Sequence, residues 1–94
     1  MVLLTEEQTS GFVAAHPEWS LAEAAITRRF SFADFNEAMG FVNRVALAAE
    51  AADHHPDIDI RWNKVTIVLS THSEGGITAK DTALAEKIDG FASG

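Results

Sequence analysis

The run Ile58-Asp59-Ile60-Arg61-Trp62-Asn63-Lys64-Val65-Thr66-Ile67-Val68-Leu69 decides how this chain folds. Ile58, Ile60 and Trp62 alternate with Asp59 and Arg61, and Val65, Ile67 and Leu69 alternate with Thr66, Val68 and Ser70. A period of two sends successive side chains to opposite faces, which is the mark of a half-buried strand. Asn63-Lys64 sits between the two runs as a short turn, and asparagine tolerates the positive φ that such turns need. Strands joined this tightly are antiparallel neighbours, so the pair reads as a β-hairpin.

Upstream, Ile26, Arg28 and Phe30 alternate with Thr27 and Arg29, and a second hairpin is expected between about Trp19 and Phe30. Between the hairpins, Ser31 to Ala52 reads as a long helix. Ser31 is a candidate cap, and Asp34 falls in the first turn, where the helix dipole favours negative charge. Phe35, Ala38, Met39, Val42, Val45, Ala46 and Ala49 recur at three- and four-residue steps and form the expected core stripe. Phe41 and Leu47 lie off that stripe, which hints at a partner subunit.

At the start of the chain, Thr5-Glu6-Glu7-Gln8 has the form of a capping box, followed by a short helix with Phe12 and Val13 inward and an end at His16-Pro17. At the other end, Gly75-Gly76 breaks the chain. Thr78 then caps a last helix that carries Leu84, Ile88 and Phe91 on one face. The order helix-strand-strand-helix-strand-strand-helix predicts an α+β fold of two layers, a four-stranded antiparallel sheet with helices packed on one face. Residues 1–94 read as one domain, with no internal repeat and no low-complexity linker.

Composition narrows the function. A net charge of −7 argues against broad nucleic-acid binding, which needs clustered Lys and Arg. The absence of cysteine removes disulfides and thiolate metal sites. Met1-Val2-Leu3-Leu4 lacks the basic start and long apolar run of a signal peptide, and no stretch approaches a membrane span, so the cytoplasm is the expected location. A chain of 94 residues buries roughly 65% of its unfolded surface, a thin core that oligomerisation would help.

The chemistry is concentrated in two segments. Asp53-His54-His55-Pro56 follows the long helix, and Ser70-Thr71-His72-Ser73-Glu74-Gly75-Gly76 follows the last strand. Imidazole titrates near neutrality, so three histidines on two loop-like segments with carboxylates nearby point to proton transfer. Adjacent histidines point apart and lack zinc-site spacing, which argues against metal. Glu50 precedes His54 by four residues and would share a helix face with it. Asp81, third in the last helix, reads first as a cap, which is compatible with holding a site in place. His16 shows no partner and is assigned no role. A serine nucleophile is not supported, because no strained elbow motif surrounds Ser70, Thr71 or Ser73.

Together, Asp53-His54-His55-Pro56, Trp62-Asn63-Lys64-Val65 and Leu69-Ser70-Thr71-His72-Ser73-Glu74-Gly75-Gly76-Ile77-Thr78 with Asp81 closely resemble the pterin-4a-carbinolamine dehydratase family. Phe35-Asn36 and Arg44-Val45-Ala46 are similar to that family's long helix, and the resemblance runs from about Trp19 to the end. Trp62 stands where the family commonly has tyrosine, and Ile58 where an aromatic is frequent. The resemblance implies a dehydratase that converts a 4a-hydroxytetrahydropterin to quinonoid dihydropterin and water in pterin recycling, with no metal and no organic cofactor. It implies acid/base work by His54 and His72, with the assignment of acid and base open. His55 would bind and orient the pterin together with Asp53, Pro56, Ser70, Thr71 and Ser73, and Glu50 and Asp81 would support the histidines. The small size of the domain and the apolar positions on two sides of its long helix point to a homodimer or homotetramer, and charge and hydropathy to no nucleic-acid or membrane partner. The alternative is a non-catalytic interaction protein that stabilises a dimeric transcription factor through the long helix.

Overall fold

The expected hairpin is present, with its turn one residue earlier than the sequence pattern places it. In the computed structural model, which describes residues 2–93, strands Asp57–Arg61 and Lys64–Leu69 pair antiparallel, with Ile58 opposite Ile67 and Ile60 opposite Val65. Lys64 already pairs with Arg61, so the turn is Trp62-Asn63 and not Asn63-Lys64. The positive φ falls on Trp62, at 53°. Asn63 is held elsewhere: its Nδ2 donates to Phe32 O at 2.7 Å and its carbonyl accepts from Phe32 N at 2.9 Å. Those two bonds tie the turn to the end of the second strand and leave the left-handed residue to its neighbour. Trp62 is 66% exposed there.

The elements run α1 (Glu6–Ala15), β1 (Ser20–Ala22), β2 (Ala25–Ser31), α2 (Phe35–Ala52), β3 (Asp57–Arg61), β4 (Lys64–Leu69), a 3-10 turn (His72–Glu74) and α3 (Ala79–Ser93). The sheet is antiparallel throughout, in the order β1-β2-β4-β3. This is the α+β architecture expected from the sequence. The first hairpin is narrower than expected, because Trp19 precedes β1 and lies in the core.

Across β2 and β4, Ile26 faces Leu69, Arg28 faces Ile67 and Phe30 faces Val65. Apart from Arg28, these side chains are buried, and they meet Ala38, Phe41, Val45 and Ala49 of α2 and Leu84, Ala85 and Ile88 of α3. Arg28 is tolerated on this face because its Nη1 donates to Asp89 Oδ1 of α3 at 2.7 Å. The same carboxylate accepts from Trp19 Nε1 at 2.9 and 3.0 Å. A charge drawn toward a core stays there when it is paired and hydrogen-bonded.

The long helix departs from the expected pattern in two ways. Ser31 ends β2, and Asp34 caps α2 by accepting from Glu37 N at 2.8 Å. The buried stripe is Ala38, Phe41, Val45 and Ala49. Phe41 is therefore core, its ring 4.7 Å from that of Phe30 and 4.9 Å from that of Phe32. Phe35 is half exposed, Ala46 is exposed and Leu47 is 73% exposed. Steps of 3, 4 and 4 residues from Ala38 also define a helix face, and Phe30 of β2 with Phe32 just beyond it selects that face by receiving Phe41.

The capping box of α1 is formed: Gln8 N donates to Thr5 Oγ1 at 3.1 Å and Thr5 N to Gln8 Oε1 at 2.9 Å. His16 does have partners, contrary to the sequence reading. Its ring stacks on Phe12 with centroids 4.2 Å apart, Nδ1 lies 3.0 Å from Phe12 O, and Nε2 lies 3.5 Å from Glu86. Among the described residues no helix is long and apolar enough to cross a membrane.

Candidate active site

The first histidine segment is shaped by the way α2 ends. Asp53 adopts the left-handed conformation, φ 50° and ψ 44°, a region that aspartate and asparagine enter more readily than other non-glycine residues. His54 N then donates back to Ala49 O at 3.0 Å, and Pro56 takes the chain into β3. This turn sends the two histidines to different places. His54 is buried, at 9% exposure, with Nε2 2.6 Å from Asp81 Oδ1. His55 is exposed, and its Nε2 pairs with the exposed carboxylate of Glu50.

Glu50 therefore supports His55, not His54 as helical spacing implies. The left-handed residue at position 53 breaks the helical register, so the carboxylate meets the side chain five residues on instead of four. Asp53 itself is exposed.

The second segment is a closed loop. Thr71 N donates to Gly76 O at 2.7 Å, Glu74 N to Thr71 O at 3.0 Å and Gly75 N to His72 O at 3.1 Å. Gly75 has φ of 73°, where a side chain would be strained. His72 and Ser73 are exposed on this loop. Ser70 donates to Ala24 O at 2.7 Å and so ties the loop to the β1–β2 turn.

Asp81 joins the two segments and is 0% exposed. Oδ1 faces His54, while Oδ2 accepts from Thr71 Oγ1 at 2.8 Å and from Thr78 N at 2.9 Å. One carboxylate thus holds the residue that follows the α2 exit, the residue before His72 and the start of α3. Asp81 completes the expected cap at the start of α3 with Oδ2, and its other oxygen meets His54.

Two features of this centre were missed in the sequence. Thr71, expected among the groups that contact the pterin, is buried, and its hydroxyl donates to Asp81. Continuing the inward positions Val65, Ile67 and Leu69 by one more step of two reaches Thr71, and that signal was available. Thr78, expected as a cap, also brings its Oγ1 within 2.8 Å of Thr71 Oγ1. No local pattern announces a contact between hydroxyls on separate segments.

Chemically, the two segments offer one buried imidazole bonded to a carboxylate, one exposed imidazole paired with another carboxylate, and a third, exposed imidazole on a loop closed by backbone hydrogen bonds. Such groups suit general acid and base roles. Among the described residues no group of three or more His, Asp or Glu side chains is placed to hold a metal ion.

The comparison with known families decides the relationship. The model for "Pterin 4 alpha carbinolamine dehydratase" matches residues 2–91. The chain belongs to this family. A Mycobacteroides abscessus protein that bears the pterin-4-alpha-carbinolamine dehydratase name is 53% identical over 89 residues, 95% of each chain. A Rhodospirillum rubrum protein of the same name is 56% identical over 79 residues, 82% of each. A crystal structure described as a transcriptional coactivator/pterin dehydratase from Brucella melitensis superposes with a TM-score of 0.93 at 40% identity, covering 97% of this chain and 99% of that one. A pterin dehydratase-like protein identified as a RuBisCO assembly factor in the alpha-carboxysome is more distant, at 21% identity and a TM-score of 0.67 over 79% of this chain and 86% of its own, and shares the fold.

Proposed function

We propose that this protein dehydrates a 4a-hydroxytetrahydropterin to the quinonoid dihydropterin, as a step in pterin recycling. The observation that carries the proposal is the Asp81 junction, which ties the buried His54 to the loop that presents His72. The reaction removes hydroxide from C4a and a proton from a ring nitrogen. Hydroxide is a poor leaving group, so an acid must protonate it as the C–O bond breaks, while a base takes the nitrogen proton. His54 and His72 fill these two roles, and which is acid is left open. His55, steadied by Glu50, binds and orients the pterin. Asp53 and Ser73, both exposed, contribute polar contacts beside it. Pro56 and Ser70 shape the flanking backbone, and Thr71 contributes by holding Asp81. No metal or organic cofactor takes part in this scheme.

The test is a dehydration assay on the purified protein, with the 4a-carbinolamine generated in situ and chelator present. The proposal expects rate acceleration over the uncatalysed reaction, undiminished by chelator. A rate equal to the background would contradict it, and activity lost on chelation with stoichiometric zinc would replace acid/base with Lewis-acid chemistry.

A second reading has one observation in its favour. Phe35 and Leu47 of α2 stay exposed, at 50% and 73%, whereas Phe41, which the sequence reading enlisted for a partner, is core. Exposed apolar side chains on α2 suit self-association as a dimer or tetramer, or a role as an interaction protein. The coactivator part of the Brucella melitensis description is in line with it. The same dehydration assay separates a purely interacting protein from an enzyme.

A further inference from the structure

The hydrogen bonds behind Asp81 run in one direction. Thr71 has a single hydroxyl proton, and it goes to Asp81 Oδ2 at 2.8 Å. Thr78 Oγ1 lies 2.8 Å from Thr71 Oγ1, so Thr78 is the donor of that pair. Thr78 Oγ1 in turn accepts from the Lys80 backbone N–H at 3.3 Å. The Thr78 backbone N–H also donates to Oδ2, at 2.9 Å. Oδ1 is left to face Nε2 of His54 at 2.6 Å. Thr71, Thr78 and Asp81 are 7%, 0% and 0% exposed, so the chain is closed off from water, and in a low-dielectric interior each bond strengthens the next.

This arrangement has a consequence for His54. A carboxylate accepts and does not donate, so Nε2 must bear the proton that meets Oδ1. A neutral imidazole has one N–H, and Nδ1 is then bare. Nδ1 has no hydrogen-bond partner among the described residues. A ring nitrogen whose protonation is set by what the other nitrogen bonds is the usual way a histidine is tuned.

The geometry points to Nδ1 of His54 as the atom that exchanges a proton with the substrate, and to Thr78 as the positioning residue that, through Thr71, holds Asp81 in the orientation that enforces this tautomer. The exchange with substrate rests on the dehydratase reading above; the tautomer does not. Thr78 touches no reacting atom. Its part is to anchor Thr71 through the hydroxyl pair and Oδ2 through its backbone N–H, which fixes the rotation of the Asp81 carboxylate so that Oδ1 is kept for the imidazole. Capping of α3 alone would need Thr78 Oγ1 only as an acceptor, yet its shorter bond is the one it donates.

The experiment is long-range proton–nitrogen NMR of the isotope-labelled full chain, at a pH where its imidazoles are neutral, beside steady-state kinetics. In the parent protein, His54 is expected as the Nε2–H tautomer with Nδ1 unprotonated. Thr78→Val is expected to give a mixture of tautomers at His54 and a kcat lowered roughly tenfold with KM unchanged, the low end for loss of a partner that orients a histidine. Thr78→Ser, which keeps the hydroxyl, restores both. Thr78→Val also removes a cap, so Thr71→Val, which breaks the same chain one link later and leaves the cap in place, is the companion variant with the same expected outcome. A parent His54 protonated at Nδ1 in its neutral form overturns the inference without touching the dehydratase reading. So does a folded valine variant with the parent tautomer and the parent kcat. A parent protein with the Nε2–H tautomer and no dehydration activity overturns the role of Nδ1 together with the reading it rests on.

Discussion

His54→Ala and His72→Ala should each lower the catalysed dehydration rate by about 10²–10⁴-fold, the range for loss of one positioned acid or base. The two side chains come from different elements, one after α2 and one after β4, and Asp81 links their segments by bonding His54 and Thr71, the residue before His72. If one is acid and the other base, neither can substitute for its partner, so each replacement alone carries the full loss. The carbinolamine also dehydrates without enzyme, which compresses the measurable loss at the low end, and rates must be read after subtraction of that background. His16→Ala is the internal control, since His16 contacts Phe12 and Glu86 and lies in neither histidine segment. Circular dichroism of each variant separates lost chemistry from lost structure. Folded His54 and His72 variants that work at the parent rate would remove the acid/base assignment.

The second large effect is expected at Asp81. Asp81→Ala leaves His54 Nε2, Thr71 Oγ1 and Thr78 N without their acceptor in a buried site. Removing one member of a buried, hydrogen-bonded pair costs about 3–5 kcal/mol, because the groups left behind stay desolvated and unpaired. For a domain of this size that is a large share of a total stability of roughly 5–15 kcal/mol. Urea denaturation should therefore show a much lower midpoint with an unchanged slope. Asp81→Asn keeps the shape but replaces an acceptor oxygen with a donor, which must confront either His54 or the Thr71 and Thr78 donors. Its stability loss should be smaller, while the rate should fall about 10²–10⁴-fold, as when an aspartate behind a catalytic histidine is made an amide. Parent-like stability in Asp81→Ala would mean that the junction contributes little to folding.

The parts of this structure that were legible in the sequence are those governed by local periodicity. The alternation in Ile58–Leu69 fixes an antiparallel pair whatever the rest of the chain does, and the Thr5–Gln8 box needs only the residues within it. Local pattern and structure part where a tertiary contact chooses between local alternatives. Asn63 is the better residue for positive φ, but its bonds to Phe32 hand that conformation to Trp62. Phe35 and Phe41 both fit a helix face, and the Phe30 and Phe32 rings settle which is buried. Asp34 and Ser31 are both capping residues, and the extension of β2 through Ser31 decides for Asp34.

The candidate site follows the same rule. Its residue types and segments were visible, because paired histidines, a third histidine before two glycines and a helix-capping aspartate are sequence features. Their pairing was not. His54 meets Asp81 across 27 residues of sequence, and nothing local in either segment encodes that contact. Glu50 would face His54 only if the helix continued through position 53. One left-handed residue, Asp53, changes which histidine a carboxylate can reach.

The claim that the histidine centre is where the pterin sits and reacts is tested most directly by following the imidazole NMR signals of all four histidines while a stable dihydropterin is titrated into the protein. The account predicts that His54, His55 and His72 shift together along one saturating curve while His16 stays still. Saturable binding that moves His16, or that leaves His54, His55 and His72 unmoved, would contradict it.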